Sequence, residues 1–411
     1  MSDYILAKQN GRNIPLEDKI FGISNRAKAM IAEKGPDKVI NATIGSLLDD
    51  DGKLIVLSSV VEAVRNLSPA DFADYAPIGG TSPFREAVKK AAFGSFEPKS
   101  LAEAVATPGG TGAIRNTISN YSRPGDKILT SDWHWAPYNT IAGEMGRSID
   151  TYRMFDENGG FCGADFECKV KALATAQKSL VIILNTPAHN PTGYSLTDKD
   201  WDQVINALSA AAALAESIVL MVDAAYIDFA GDEETYRSFL PKLETMPENV
   251  LPVIAYSLSK TYTLYGTRCG AMICMAKTAE IAAEFKRVCE FSARGSWSNS
   301  AKLAQVVLSR VYSDEALLKK VSDERAGYRE MLLRRGRAFE EEAKKVGLNM
   351  VPFDAGFFIS IPCENPDEIS RRLEKEGLFI VPLAKGLRVS AASVSEAACR
   401  KIPAMIKKAM G

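Results

Sequence analysis

Short apolar runs of strand length recur along the chain, each closed by glycine, proline or a polar residue, with stretches of helical period between them. Runs over 104–107, 127–131, 179–185, 218–223, 250–256 and 270–276 carry apolar residues at successive positions, the mark of strands buried on both faces. Helical patterns fall at 57–67, from the loop after Tyr75 through Phe93, and at about 198–216. This alternation predicts an open, mainly parallel α/β sheet whose ligand lies outside the carboxyl ends of the strands. From about 314 to 345 a charged amphipathic stretch predicts one long connecting helix. Short strands at 356–361, 378–382 and 387–390 then predict a small α+β domain. The expected division is a large domain over 51–312, and a small domain built from 313–411 with the arm and short apolar segment of 1–50.

Composition narrows the classes without choosing among them. The 411 residues include 50 Lys and Arg against 51 Asp and Glu, a net charge of −1, so no overall field draws the chain to nucleic acid or an anionic membrane. Charged residues interrupt the longest apolar runs, near 210–214 and 218–222, and no stretch is expected to span a bilayer. The first ten residues lack signal or transit character, which sets a cytoplasmic expectation. Seven cysteines without a Cys-x-x-Cys pair argue against a disulfide framework or zinc site. With only two histidines, no metal centre is expected and lysine is the favoured proton carrier.

Chemistry concentrates where the strands end. Lys260 follows the apolar run 250–256, between Ser257, Ser259 and Arg268, a place where an ordinary solvated lysine is out of keeping. Burial and a neighbouring cation lower an amine's pKa and free it to attack a carbonyl carbon, giving a Schiff base. Hydroxyls and a guanidinium around it would receive a phosphate. Asp223 closes another apolar strand, where a lone carboxylate is costly, and a cationic partner is expected. Strand, glycine turn and helix start at Ala104-Val-Ala-Thr-Pro-Gly-Gly-Thr-Gly-Ala-Ile-Arg115 offer free N–H groups to an anion. Trp133 and Trp135, just past another strand, are core residues or a platform for a flat ring.

The segment Ser257-Leu-Ser-Lys260 with Gly266-Thr-Arg268 resembles the lysine segment of fold type I pyridoxal phosphate enzymes, and Leu264-Tyr-Gly-Thr-Arg-Cys-Gly-Ala271 resembles the aspartate and aromatic aminotransferases in particular. Gly45-Ser-Leu-Leu-Asp-Asp-Asp-Gly-Lys53, Gly110-Thr-Gly-Ala113, His189-Asn-Pro-Thr-Gly193 and Gly386-Leu-Arg-Val-Ser390 extend the resemblance over nearly the whole chain, in family order. It implies pyridoxal 5'-phosphate as cofactor, with Lys260 as its attachment point and proton carrier and Asp223 on its ring nitrogen. Tyr226 and Asn190 would hold the ring oxygen, and Trp135 or Trp133 would stack on the ring. Gly110, Thr111, Ser257 and Arg268 would form the phosphate cup. It further implies that Arg388, with Gly45 and Asn190, clamps the substrate α-carboxylate. Tyr75 and Arg294 would reach the neighbouring subunit's site in a homodimer.

The implied activity moves an amino group between aspartate or an aromatic amino acid and a 2-oxo acid such as 2-oxoglutarate. β-Elimination or β-decarboxylation on the same cofactor is the alternative; a non-catalytic cofactor-sensing regulator is disfavoured, since no basic stripe is present. Two departures stand out. Three residues after the stacking tryptophan the aspartate enzymes carry histidine, whereas here that offset gives Tyr138 from Trp135 or Ala136 from Trp133, with the Trp135 register preferred. Trp297 also stands where tyrosine is usual beside Arg294.

Overall fold

The computed structural model describes residues 6, 9, 10, 12 and 14–411. Among them the strands are β1 (Ile40–Asn41), β2 (Leu101–Thr107), β3 (Lys127–Ser131), β4 (Ser148–Tyr152), β5 (Ser179–Asn185), β6 (Ser217–Asp223), β7 (Val250–Ser257), β8 (Gly270–Ala276), β9 (Phe358–Pro362), β10 (Leu378–Phe379), β11 (Val381–Leu383) and β12 (Gly386–Ser390). Seven form one sheet in the order β2-β8-β7-β6-β5-β3-β4, in which β8 runs against both neighbours and the other adjacent pairs are parallel.

The continuous apolar runs are explained by two covered faces. Side chains alternate across a strand, so Leu180, Ile182, Leu220, Val222 and Ile254 join one apolar cluster, while Val181, Ile183, Val219, Met221 and Val253 join another on the opposite face. The second face is closed by helices Gly109–Tyr121, Pro137–Glu144 and Ala279–Ser296, which contribute Ile114, Tyr138 and Phe285.

Register brings the strand ends together. Asn185 pairs with Asp223, and Asp223 with Ala255, while Ser257 and Thr107 both lie opposite Gly270. The glycine turn after β2, the exit of β7 and the start of β8 are therefore side by side. Gly270 is required here, because a Cβ on it would stand 2.5 Å from the Tyr256 carbonyl oxygen and 2.8 Å from Gly109.

A separate apolar cluster joins Phe339 of the long helix Glu315–Lys345 to Ile359, Ile361, Leu387, Val389 and Ile402, around the antiparallel β11-β12-β9 sheet. Chain from the N-terminal side belongs to this body: β1 pairs with β10, Ala42 enters the cluster, and Arg26 of helix Lys19–Lys34 pairs with Glu374 at 2.8 Å. The run 378–382, predicted as one strand, is two short strands in different sheets, because the chain leaves β1 at Ile380 to join β12. Tyr226, Phe357, Phe358, Leu47 and Ala392 form a further apolar cluster, in which the exit of β6 meets residues at or beside β9 and β12. No described helix is long and apolar enough to cross a membrane.

Candidate active site

At the carboxyl ends of the central strands lies a cavity of about 130 Å³. Lys260, Asp223, Arg268 and Trp135 all line it. β7 ends at Ser257, and one turn of helix, Leu258–Thr261, lifts Lys260 over the strand end. The chain then returns through Arg268 to β8, so the lysine and the arginine belong to one short excursion between paired strands. The Lys260 amine stands 5.3 Å from the centre of the Tyr226 ring. Burial, helped by the charge of Arg268 and opposed by that of Asp223, pulls its pKa down to about 8. At pH 7 about a tenth of the amine is thus unprotonated, far more than for a solvated lysine, which eases its use as a nucleophile or base.

Arg268 takes a left-handed backbone conformation, φ 49°. For a non-glycine residue this costs about 1–2 kcal/mol, and it lets Nη1 donate to the Ser259 hydroxyl at 3.2 Å and to the Tyr265 carbonyl at 3.0 Å. Gly109 must lack a side chain for the same reason, since a Cβ would come within 2.9 Å of the guanidinium. Next to it the helix Gly109–Tyr121 begins behind Pro108, which supplies no side-chain cap, and its first-turn residues Gly110 and Thr111 line the cavity at the positive end of the helix dipole. With Ser257 and Ser259 these groups make a cup of donors and one cation.

The opposite end of the cavity is acidic. Asp223 is buried, 5 % exposed, and within the chain it is held by neutral donors: Oδ2 accepts from the hydroxyl of Tyr138 at 2.6 Å, and Oδ1 from the Ala225 N–H at 3.3 Å. A phenol donor satisfies the carboxylate without a second charge, and Lys260 acts on it only across the cavity. Burial raises the Asp223 pKa, while Tyr138 and Lys260 hold it back. Asn185, which the sequence reading passed over, donates to the Asp223 carbonyl at 2.7 Å and accepts from the Asn190 N–H at 2.6 Å, tying two strand exits together. Ser259 and Asn185 were both readable as polar residues at or just past an apolar strand end.

Of the two tryptophans, Trp135 lines the cavity. Trp133 is not among its walls; it is buried and lines a separate open cavity with Phe155 and Lys385, because it precedes the turn that aims Trp135 inward. The Asn190 amide donates to the Tyr226 hydroxyl at 3.3 Å, and its oxygen lies 3.4 Å from Arg388 Nη1. Arg388, on β12, is buried over the Phe358 ring at 4.4 Å, and Nη2 donates to the Thr43 carbonyl at 2.8 Å. Its Nε is buried without a partner, a donor left for a ligand. Burial pulls the guanidinium pKa down to about 10, so it stays cationic at neutral pH. Gly45 packs against Phe358, where a Cβ would sit 2.6 Å from the ring.

Tyr75 and Arg294 are not brought to the cavity. Tyr75 is 83 % exposed, and Arg294, in the last turn of helix Ala279–Ser296, is exposed with Nη1 on the Ser298 hydroxyl at 2.7 Å.

An anion cup, a carboxylate at the far end, an indole wall and a reactive amine between them fit pyridoxal phosphate group by group: phosphate, ring nitrogen, ring face and carbonyl. The orphaned Arg388 donor beside this array fits a carboxylate substrate.

Residues 37–406 match the model of the family described as aminotransferase class I and II. The chain is 28% identical over 321 residues to the mitochondrial aspartate aminotransferase of Schizosaccharomyces pombe, covering 77% of this chain and 70% of that protein. A solved aminotransferase from Anaerococcus prevotii superposes with a TM-score of 0.96 at 36% identity, over 99% of this chain and 100% of that one. The fold is shared with an aromatic-amino-acid aminotransferase from Burkholderia pseudomallei covalently bound to pyridoxal phosphate, with a TM-score of 0.81 at 21% identity over 99% of this chain and 100% of that one. The chain belongs to the aminotransferase class I and II family, pyridoxal phosphate enzymes that move amino groups between amino acids and 2-oxo acids.

Proposed function

We propose that this aminotransferase uses aspartate or an aromatic amino acid as donor and 2-oxoglutarate as acceptor, through the residues gathered at the carboxyl ends of β5, β6 and β7. Pyridoxal phosphate, when bound, supplies the electron-accepting ring that makes the substrate Cα proton removable. Gly110, Thr111, Ser257, Ser259 and Arg268 hold its phosphate, Trp135 covers the ring face, and Tyr226 with Asn190 holds the ring oxygen. Asp223 keeps the ring nitrogen protonated. Lys260 attaches the cofactor and, as the amine nearest the reacting carbon, takes the proton from Cα as general base. Arg388 binds the α-carboxylate through the Nε donor that the chain leaves free, supported by Asn190 and the close approach that Gly45 permits.

The observation that carries this reading is the buried Arg388 Nε without a partner, in hydrogen-bonded sequence with Asn190 and Tyr226 at the wall of the lysine cavity. A buried guanidinium donor left unpaired is costly and calls for an anion. The outward placement of Tyr75 and Arg294 supports a homodimer in which each serves the other subunit's site. The separate apolar clusters support the division into a body over 51–312 and one built from 1–50 and 313–411. Seven free cysteines suit a reducing, cytoplasmic compartment.

Single-turnover reaction of the holoenzyme with a panel of amino acids, followed by absorbance, reads the donor class. Arg294 is the sharper test: a charge-assisted pair with a substrate's distal carboxylate is worth roughly 2–5 kcal/mol when truncated. Arg294→Leu should lower kcat/KM for aspartate and glutamate by on the order of 10- to 1000-fold while sparing phenylalanine. Equal losses on all three, or no change, would remove the dicarboxylate assignment.

A further inference from the structure

The turn after β3 places two aromatic residues on either side of one task. The Tyr138 N–H bonds to the Trp135 carbonyl at 3.0 Å, so one turn presents the indole to the cavity and the phenol to the back of Asp223. Tyr138 is fully buried, with the Trp135 ring edge-on at 5.5 Å and the His134 ring stacked at 6.4 Å. Its hydroxyl is therefore aimed by packing, whether or not a ligand is present.

Among the described residues no other side chain donates to the Asp223 carboxylate. The two histidines are engaged elsewhere. His134 pairs through Nδ1 with the Ser131 carbonyl and through Nε2 with Asn139, both at 2.8 Å. His189 pairs through Nδ1 with Thr192 at 2.8 Å, and its Nε2 lies 3.5 Å from the Ser131 hydroxyl. Burial lowers both, His189 to about 3, so both are neutral near pH 7. The remaining titratable groups facing the carboxylate are Lys260 and Tyr226, across the cavity. Once Lys260 is unprotonated, burial alone would favour a protonated Asp223.

We propose that Tyr138 is a positioning residue of the transamination site: its buried phenol is the standing donor that keeps Asp223 a carboxylate, so that the proton resides on the cofactor ring nitrogen whatever the charge of Lys260. The proposal rests on the assignment of this cavity to pyridoxal phosphate. A phenol suits the task because burial and Asp223 push its own ionisation far above neutrality, leaving a donor that does not switch over the working pH range. An imidazole in this place would change charge near neutral pH.

The test is the ¹⁵N NMR signal of holoenzyme loaded with ring-labelled cofactor, alongside steady-state kinetics. The native enzyme should show a protonated ring nitrogen with no titration between about pH 6 and 9, the span between ordinary imidazole and phenol ionisation. Tyr138→Phe should move the signal towards the unprotonated position and lower kcat about tenfold or more, leaving KM within about twofold, as expected when a hydrogen bond to a charged group is lost from the reacting state. Tyr138→His restores an N–H donor and should restore both readouts at alkaline pH. A Tyr138→Phe enzyme with a protonated nitrogen and unchanged kcat would overturn the proposal. Asp223→Asn separates the two levels. If it moves the signal and Tyr138→Phe does not, only the role of Tyr138 fails; if neither moves it, the cofactor assignment of the carboxylate fails and the proposal with it.

Discussion

The two ends of the central sheet each carry a cavity, and the larger one has the poorer chemistry. At the amino ends of β5, β6 and β7 a space of about 370 Å³ is lined by Val219, Leu251, Met275 and Val288 with Arg123, Glu248, Lys277 and Glu284, all four of these charged residues exposed. Its one buried orphan is the Tyr121 hydroxyl, a neutral group. The carboxyl-end cavity has about a third of that volume, yet it gathers a depressed amine, a raised carboxylate and a strained arginine. What separates them is direction. Parallel strands point their final residues, the Gly110 helix start and the β7–β8 excursion all the same way, so charge and unpaired N–H groups accumulate at one edge. Volume reports where packing is loose; unpaid electrostatic cost reports where a ligand belongs.

Substitutions at the two ends of the sheet should have unequal effects. Lys260→Ala should lower transamination by at least about 1000-fold, within the range that general base catalysis supplies, while phosphate and ring contacts still retain cofactor; near-native turnover would end the mechanism. Asp223→Ala should lower kcat about 100-fold, as for other lost electrostatic stabilisers, with no recovery at saturating cofactor. Full recovery would reduce Asp223 to a binding residue.

A smaller effect concerns the charges that set the amine. Acylation of Lys260 in cofactor-free protein, followed by peptide mass across pH, should report a midpoint of about 8. Arg268 lowers that value and Asp223 raises it, so Arg268→Ala should move the midpoint up and Asp223→Asn should move it down. Shifts in the opposite directions would show that these charges do not act on the amine. Smallest is the far end: Tyr121→Phe removes a hydroxyl without a partner and should leave kcat within about twofold and thermal stability equal or higher, since an unpaired buried hydroxyl contributes nothing to folding. A large loss of activity there would mean that the amino-end cavity takes part in function.

Much of the carboxyl-end site was legible because its signals are local. Lys260, Asp223 and the Gly109-Gly110 turn each end an apolar run, and strand polarity then places them together. Arg388 could be found only through its motif, since one short strand gives no hint that Thr43 and Asn190, 345 and 198 residues away, will meet it. The phenol that donates to Asp223 comes from 85 residues earlier and was not legible as its partner, because it is delivered by a helix whose apolar face is indistinguishable in sequence from ordinary core. Trp133 and Trp135 differ by two positions in an irregular turn, where no period decides which indole faces inward. Helix Lys19–Lys34 escaped the pattern because it buries only Gly22, Ile23, Ser24 and Ala27, too few apolar positions to mark a face.

Borohydride reduction of the purified holoenzyme, proteolysis and mass spectrometry test most directly whether Lys260 is the amine that carries the cofactor and yields it to an amino-acid donor. The expected product is a pyridoxyl phosphate group fixed on the peptide containing Lys260, absent when excess amino-acid donor is added before reduction. A label on another lysine, or one that persists after the donor, would contradict it.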